Sequence, residues 1–297
     1  KKMLRDRRTP QNKAERMILN NYLAIQEIRT MKDEPMTVER IHHLHRILTE
    51  NTLDDPTAAG RFRTEKEDIH VVDPTDGAVL HRPPNAKLLE ARMQKLCDFA
   101  NESIEKSKFV HPVVRAIFLH FWLAYEHPYV DGNGRTARAL FYWYMLRSQY
   151  WMFEFVSISR VILKSPARYA RAFLYSELDD NDLTYFIQFN LKVIVIALSE
   201  LRKYLREKQT HLRESLELLK QYKGINLRQR DLLEKAIRDP HTSFTLTGHA
   251  TQFDVVYQTA RLDLFNLEKR GLLKKLKAGR QFIFIPTEKL LGNKFKE

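Results

Sequence analysis

A mainly α-helical protein, with one early β-hairpin and a small α+β module at its end, is the fold class that three observations predict. Between Pro84 and Glu200 the chain repeats apolar residues at helical spacing with only brief polar breaks. The stretch IHVVDPTDGAVLHRPP, residues 69–84, instead sets two β-rich runs around Asp73-Pro74-Thr75-Asp76-Gly77, a loop of turn formers. After Gly224 two helical patterns are followed by KKLKAGRQFIFIP, which reads as two strands joined at Ala278-Gly279.

The elements can be justified in order. Residues 11–29 carry Met17, Ile18, Tyr22, Ile25 and Ile28 at helical spacing. A second helix is predicted over Val38–Leu48 with Thr37 as its N-cap. His42, His43 and His45 crowd it, but without the four-residue spacing and nearby carboxylate of a helical zinc site, so metal binding is not expected there. The hairpin is too short to stand alone in water and must lean on helices or on a bound partner. Val113–Glu126 is apolar enough for a central buried helix, with His111 and His120 read as core histidines. From Leu191 to Lys220 a charged helix places Leu198, Leu201, Leu205, Leu212 and Leu219 near a heptad, as a spacer, a dimer contact or an amphipathic helix on the core. Residues 227–239 and the stretch QTARLDLFNLEKRGLL form two more helices, the second stopped by Gly271. Helices followed by a basic hairpin describe a winged helix, with Arg261, Lys269 and Arg270 on the helix placed for recognition. The expected divisions are 1–50, 51–200, 201–222 and 223–297.

Composition narrows the function classes. With 43% hydrophobic and 11% aromatic residues in 297, the chain can bury a sizeable core. A single cysteine, Cys97, excludes an internal disulfide and fits a reducing compartment. No uninterrupted apolar run reaches the roughly 18–20 residues of a membrane span, and no signal peptide is visible, so a cytoplasmic protein with no membrane partner is expected. The net charge of +13 suits an acidic partner, and residues 221–297 hold 15 Lys or Arg against 8 Asp or Glu. DNA, another protein or a second copy of the chain is allowed as a partner for the C-terminal module. Lys1 is not methionine, so natural sequence upstream is expected.

The chemistry concentrates in HPYVDGNGRTAR, residues 127–138. Pro128 ends the preceding helix and leaves His127 at the mouth of a loop. Asp131-Gly132-Asn133-Gly134 makes a tight loop, and RTARALFYWYML resumes a helix whose N-terminus is an anion site. The glycines let a ligand approach the backbone. Arg135 and Arg138, at i and i+3, suit a polyphosphate. Asp131 is a hard oxygen donor for Mg²⁺ shared with phosphates, and His127 can take a proton from a hydroxyl near neutral pH. Neither a Walker A loop nor a dinucleotide GxGxxG is present.

The same twelve residues resemble the signature of the Fic family, departing at one fixed position, where Tyr129 stands for phenylalanine. AGRFRT at 59–64, the hairpin with HRPP, DDNDLTYFI at 179–187 and a C-terminal winged helix also have the family's look, so the resemblance covers most of the chain. It implies a Fic helical core with a β-hairpin flap, and transfer of AMP from ATP to a Ser, Thr or Tyr hydroxyl of a target protein, including the chain itself. By that resemblance His127 is the catalytic base and Asp131 holds Mg²⁺. Asn133, with the Gly132 and Gly134 backbone, cradles the phosphates, and Arg135 and Arg138 neutralise the β- and γ-phosphates. Val71 and Val72 bind the target by strand addition. Tyr129 is expected to act as packing, Tyr169 to lie near the nucleotide or in the core, and a homodimer is allowed.

Many members carry an inhibitory Ser/Thr-x-x-x-Glu-Gly/Asn helix, whose glutamate pairs with the second arginine. The nearest match here, Thr30 to Glu34, is followed by Pro35 and lies too late in the order. Such a helix is therefore expected to be absent from this chain or upstream of Lys1. Two other readings stay open: a DNA-binding regulator whose Fic core senses nucleotide, and a Fic enzyme that moves phosphate, UMP or phosphocholine.

Overall fold

The computed structural model describes residues 8–72, 77, 79–102, 109–220, 222, 224–279 and 281–291, with the side chains at 211, 212, 214–216 and 218–220 outside the described set. Residues 73–76 of the hairpin loop, and the Leu212 and Leu219 side chains of the heptad, therefore lie outside it. The fold is mostly helical. Two units divide at Leu201 and Arg202.

The first unit begins with α1 (Lys13–Met31) and α2 (Val38–Thr49), the latter capped by the Thr37 hydroxyl accepting from the Arg40 N–H. Then come the hairpin strands β1 (Val71–Val72) and β2 (Val79–His81), α3 (Leu89–Asn101), α4 (Pro112–Glu126) and α5 (Asn133–Arg147). Short α6 (Ile158–Leu163) and α7 (Pro166–Leu178) precede the 37-residue α8 (Thr184–Lys220). Helices α4 and α5 form the central pair, and α1, α2 and α3 close around them. Ile28, Ile41, Leu44, Leu48, Met93, Leu96, Ile117, Leu119, Leu123, Phe141, Trp143 and Phe186 share one dry core. Each such side chain contributes about 1.5–3 kcal/mol by leaving water.

Two expectations need correction here. On α1 the inward face is Asn20, Ala24, Ile28 and Met31, while Ile18 and Tyr22 are about half exposed. The helix is rotated because the Asn20 amide donates to the Leu48 and Glu50 carbonyls at the end of α2. A polar residue thus fixes a face that apolar spacing assigned to its neighbours. The membrane expectation also changes. Among the described residues one helical stretch, Thr184–Thr210, is long and apolar enough by composition to cross a membrane, with a mean hydropathy of 1.3. Scattered charges hid it from a search for an unbroken apolar run. Its Phe186, Val193, Ile194 and Ala197 belong to the first core.

The second unit holds α9 (Leu227–Arg238), β3 (Phe244–Thr245), α10 (Leu246–Phe253), α11 (Tyr257–Lys269), β4 (Leu273–Ala278), β5 (Gln281–Pro286) and α12 (Glu288–Leu291). Its antiparallel sheet runs β3-β5-β4, pairing Phe244 with Phe284 and Leu273 with Pro286. Gly271 takes the left-handed conformation that ends α11, with φ 72°. Leu232, Leu233, Ile237, Leu264, Leu267, Leu272 and Phe284 form a separate core. β3, α10 and α12 escaped the sequence reading, since LTGHATQF is short and rich in threonine and glycine and α12 is only four residues long.

Candidate active site

Helix α4 ends at His127, which takes φ 45° and ψ 55° as a left-handed cap. This conformation costs a side chain with a Cβ roughly 1–2 kcal/mol, so something must hold it. Arg63, from AGRFRT, does so: its Nε donates to the His127 carbonyl at 2.8 Å and its backbone N–H to the Pro128 carbonyl at 2.8 Å. The same guanidinium reaches the Pro84 carbonyl at 2.5 Å, tying the end of the flap to the loop. Its neighbour Arg61 clasps Glu67 with two hydrogen bonds.

Burial pushes the His127 imidazole down to about 4, and His81 and Arg63 push the same way against the Ala124 carbonyl and Asp131. The ring is therefore neutral at physiological pH. Its Nδ1 lies 3.3 Å from the Ala124 carbonyl. Donation there leaves the Nε2 lone pair as a base.

The loop after His127 is braced from α2. Tyr129 is fully buried and stacks on His45, with ring centroids 3.7 Å apart. Its hydroxyl lies 3.0 Å from His42 Nδ1, so it makes a polar contact as well as packing. His45 Nδ1 accepts from the Gly60 N–H, and its Nε2 donates to the Asp131 carbonyl at 2.8 Å. Burial lowers His45 to about 4, which keeps one of its nitrogens an acceptor. The three histidines of α2 thus divide into two loop braces and one, His43, beside Glu27. Their spacing gave no hint of this, because the partner arrives from 86 residues away.

Within the motif the side chains divide their work. Asn133 spends its amide on the Tyr129 backbone, accepting from the N–H at 2.8 Å and donating to the carbonyl at 2.7 Å. Its side chain closes the loop, and the first-turn N–H groups of α5 could receive an anion. Gly132 has φ 86°, and a Cβ there would sit 2.6 Å from the Thr49 side chain. It admits α2, where the sequence reading had it admit a ligand. Arg135 donates to the Leu48 carbonyl, the Thr52 hydroxyl and Asp131 Oδ2, each at 2.9 Å. That arginine is committed to the scaffold.

Arg138 is different. It is partly buried, burial lowers its pKa, and no hydrogen bond or ion pair engages it among the described residues. A Cβ on Gly134 would lie 3.2 Å from its guanidinium, so the missing side chain gives Arg138 its room. Nearby, His120 is stacked with Tyr169, whose hydroxyl is 3.3 Å from His120 Nε2. Burial, then Arg138, pushes His120 down to about 3, so it adds no positive charge. Tyr169 therefore sits in the core and beside Arg138 at once.

The flap strands pair Val71 with His81 and Val72 with Val79. Val72 and Val79 are about half exposed, leaving the β1 edge open to an added strand. Asp131 is exposed, its carboxylate turned to Arg135 and to the Gly132 N–H. Among the described residues no group of three or more His, Cys, Asp or Glu could hold a metal by itself.

Residues 35–145, from just before α2 almost to the end of α5, match the family model described as Fic/DOC family. Over those residues the chain is similar to the Fic/DOC family. A protein adenylyltransferase Fic of Nematostella vectensis is 28% identical over 158 residues, 53% of this chain and 32% of that protein. One of Drosophila willistoni is 34% identical over 115 residues, 39% of this chain and 20% of that protein. The chain thus spans about a third or less of the curated relatives it matches. Among solved structures, a Fic family protein from Desulfovibrio desulfuricans G20 aligns with TM-score 0.51 and 18% identity, over 93% of this chain and 76% of that one. Fic-1 from C. elegans aligns with TM-score 0.50 and 22% identity, over 70% and 57%. At these identities the likeness is one of fold. The Fic/DOC match includes every residue of HPYVDGNGRTAR.

Proposed function

We propose that this chain is a protein adenylyltransferase, moving AMP from ATP to a Ser, Thr or Tyr hydroxyl of a target protein and of itself. One observation carries the reading: a partly buried guanidinium, Arg138, with no hydrogen bond or ion pair among the described residues, one turn inside a helix start that follows a neutral histidine. A cation partly withdrawn from water without a counter-charge is a ready partner for a nucleotide polyphosphate.

In this reading the triphosphate lies along the first-turn N–H groups of α5, with Arg138 on its γ end. His127 Nε2 takes the proton of the target hydroxyl as that oxygen attacks the α-phosphorus. The bond from the α-phosphorus to the bridging oxygen breaks, and pyrophosphate leaves. The exposed β1 edge at Val71 and Val72 would hold the target main chain and present its hydroxyl. Asp131 fits Mg²⁺, which needs few protein ligands when phosphates supply the rest, provided its carboxylate gives up Arg135. The metal would supply charge for the leaving pyrophosphate.

The order of helices and strands in the second unit supports a winged-helix reading, and the cytoplasm remains the proposed location. DNA is the alternative partner for that unit, favoured by exposed Arg261 and Lys269 on α11 and Lys274 and Lys277 on β4. Steep loss of DNA binding with added salt would mark it, through counterion release.

The deciding experiment incubates the chain with Mg²⁺ and ATP labelled at the α- or the γ-phosphate. Protein-bound label from α and not γ, lost in His127→Ala, is expected. Label from γ alone would replace AMP transfer with phosphate transfer. No label from either, beside salt-sensitive DNA binding, would favour the regulator.

A further inference from the structure

His81, on β2, makes two contacts that no single neutral ring can satisfy. Its Nδ1 lies 2.7 Å from Glu177 Oε1 on α7, and its Nε2 lies 2.7 Å from the Tyr125 carbonyl on α4. A carbonyl and an ionised carboxylate only accept hydrogen bonds, whereas a neutral imidazole has one N–H and one lone pair. A neutral ring would leave one of these contacts lone pair to lone pair in a site where His81 is 3% exposed at its side chain. With Glu177 ionised, only the ring with both nitrogens protonated donates to both.

The surroundings support that charge state. Glu177 keeps one buried oxygen, Oε2, with no partner among the described residues, so the His81 ring is its counter-charge. From α4, Glu126 is occupied by Arg92 and Trp122. From α7, Phe173 faces the ring edge-on. Just before β1, His70 pairs with Asp68, and Arg63 is turned to backbone carbonyls. Glu177 is thus the carboxylate in contact with His81.

The position of the pair gives it a role. His81 is the strand partner of Val71, and Tyr125 stands two residues before His127. One ring therefore links the strand that faces a target to the helix end that carries the base. We propose that His81 and Glu177 are a positioning pair: a doubly protonated His81, held between Glu177 and the Tyr125 carbonyl, fixes the β1 edge relative to His127. This rests on the adenylyltransferase reading for its consequence, though not for its geometry. It makes the pair a determinant of which hydroxyl, a protein's or water's, receives AMP.

Two readouts on the full chain test it. Long-range ¹H–¹⁵N NMR of histidine-labelled protein near neutral pH should find both His81 nitrogens protonated, and only one in Glu177→Gln. A single-proton neutral ring in the unaltered chain would overturn the pair. Separately, α-labelled ATP reports chain-bound AMP against free AMP released by water. In His81→Ala the ratio of bound to free should fall at least about tenfold, since a misplacement near 1 Å can cost a hundredfold. Equal loss of both products would mean damage to the base or fold, and no loss would mean no positioning role; either result sinks the proposal. If the unaltered chain gives neither product, the adenylyltransferase reading fails and the ring protonation alone decides the pair. Glu177→Gln, which keeps both hydrogen bonds around a neutral ring, guards against misfolding and should retain most of the ratio.

Discussion

Asp263 in the second unit and Arg138 in the first are charged side chains treated in opposite ways. In the second unit Asp263, 4% exposed, receives Asn226 Nδ2 at 2.6 Å, Arg228 Nε at 2.7 Å and His249 Nε2 at 3.1 Å. Burial alone would raise its pKa, yet Arg228, His249 and Asn226 outweigh burial and hold the carboxyl below its usual range. In the first unit Arg138 is partly buried with no partner among the described residues. Satisfied charge binds α9, α10 and α11 together. Unsatisfied charge, at a helix start beside a left-handed histidine, is stability withheld for a ligand.

The contrast can be broken in several places, beginning with the largest effect. His127→Ala should lower AMP transfer by about 10²–10⁴-fold, since it removes the base, with little change in melting temperature, since alanine keeps the Cβ that strains the left-handed cap. Timed label incorporation and a thermal scan measure the two together. Acid comes next. His45, His120 and His127 are held at about 4, about 3 and about 4, below the ordinary 6.5. Between those values the unfolded chain binds protons that the folded chain refuses, so the stabilisation present above pH 6.5 is lost as pH falls towards 4. Each ring adds a slope of about 1.4 kcal/mol per pH unit, readable in denaturant titrations at stepped pH.

Asp263→Ala should cost about 3 kcal/mol by denaturant unfolding of the second unit, because it strands buried His249 and frees Arg228 and Asn226. AMP transfer should be far less affected, and an equal loss of both would erase the contrast. Arg138→Ala should invert that pattern. It should weaken ATP binding by about tenfold to a hundredfold in calorimetry, the size of a charge-assisted contact, without lowering stability. Smallest of all, Tyr129→Phe should cost about 1 kcal/mol, the worth of its hydroxyl contact with His42.

Much of this was legible before folding. Pro128 after an apolar run placed a helix end at His127, and two glycines before RTAR placed a helix start. Thr37 and Gly271 marked their boundaries by cap chemistry alone. The hairpin's need for support was also readable, since strands of two and three residues cannot hold themselves. The support itself was not: His81 meets Glu177 from 96 residues away, and nothing local announces the pair.

The limit falls at the same place for every site residue. Sequence by itself determined which residue types gather in HPYVDGNGRTAR and that helices flank them, because helix ends and turns are local properties of the chain. Only the tertiary structure decided which of those side chains are free. Asn133 is taken by a backbone four residues away, Arg135 by the end of α2, and Gly132 by the close approach of Thr49, whereas Arg138 keeps its charge unanswered. Pairing depends on distances between elements far apart in the chain, and those are set only when the core packs.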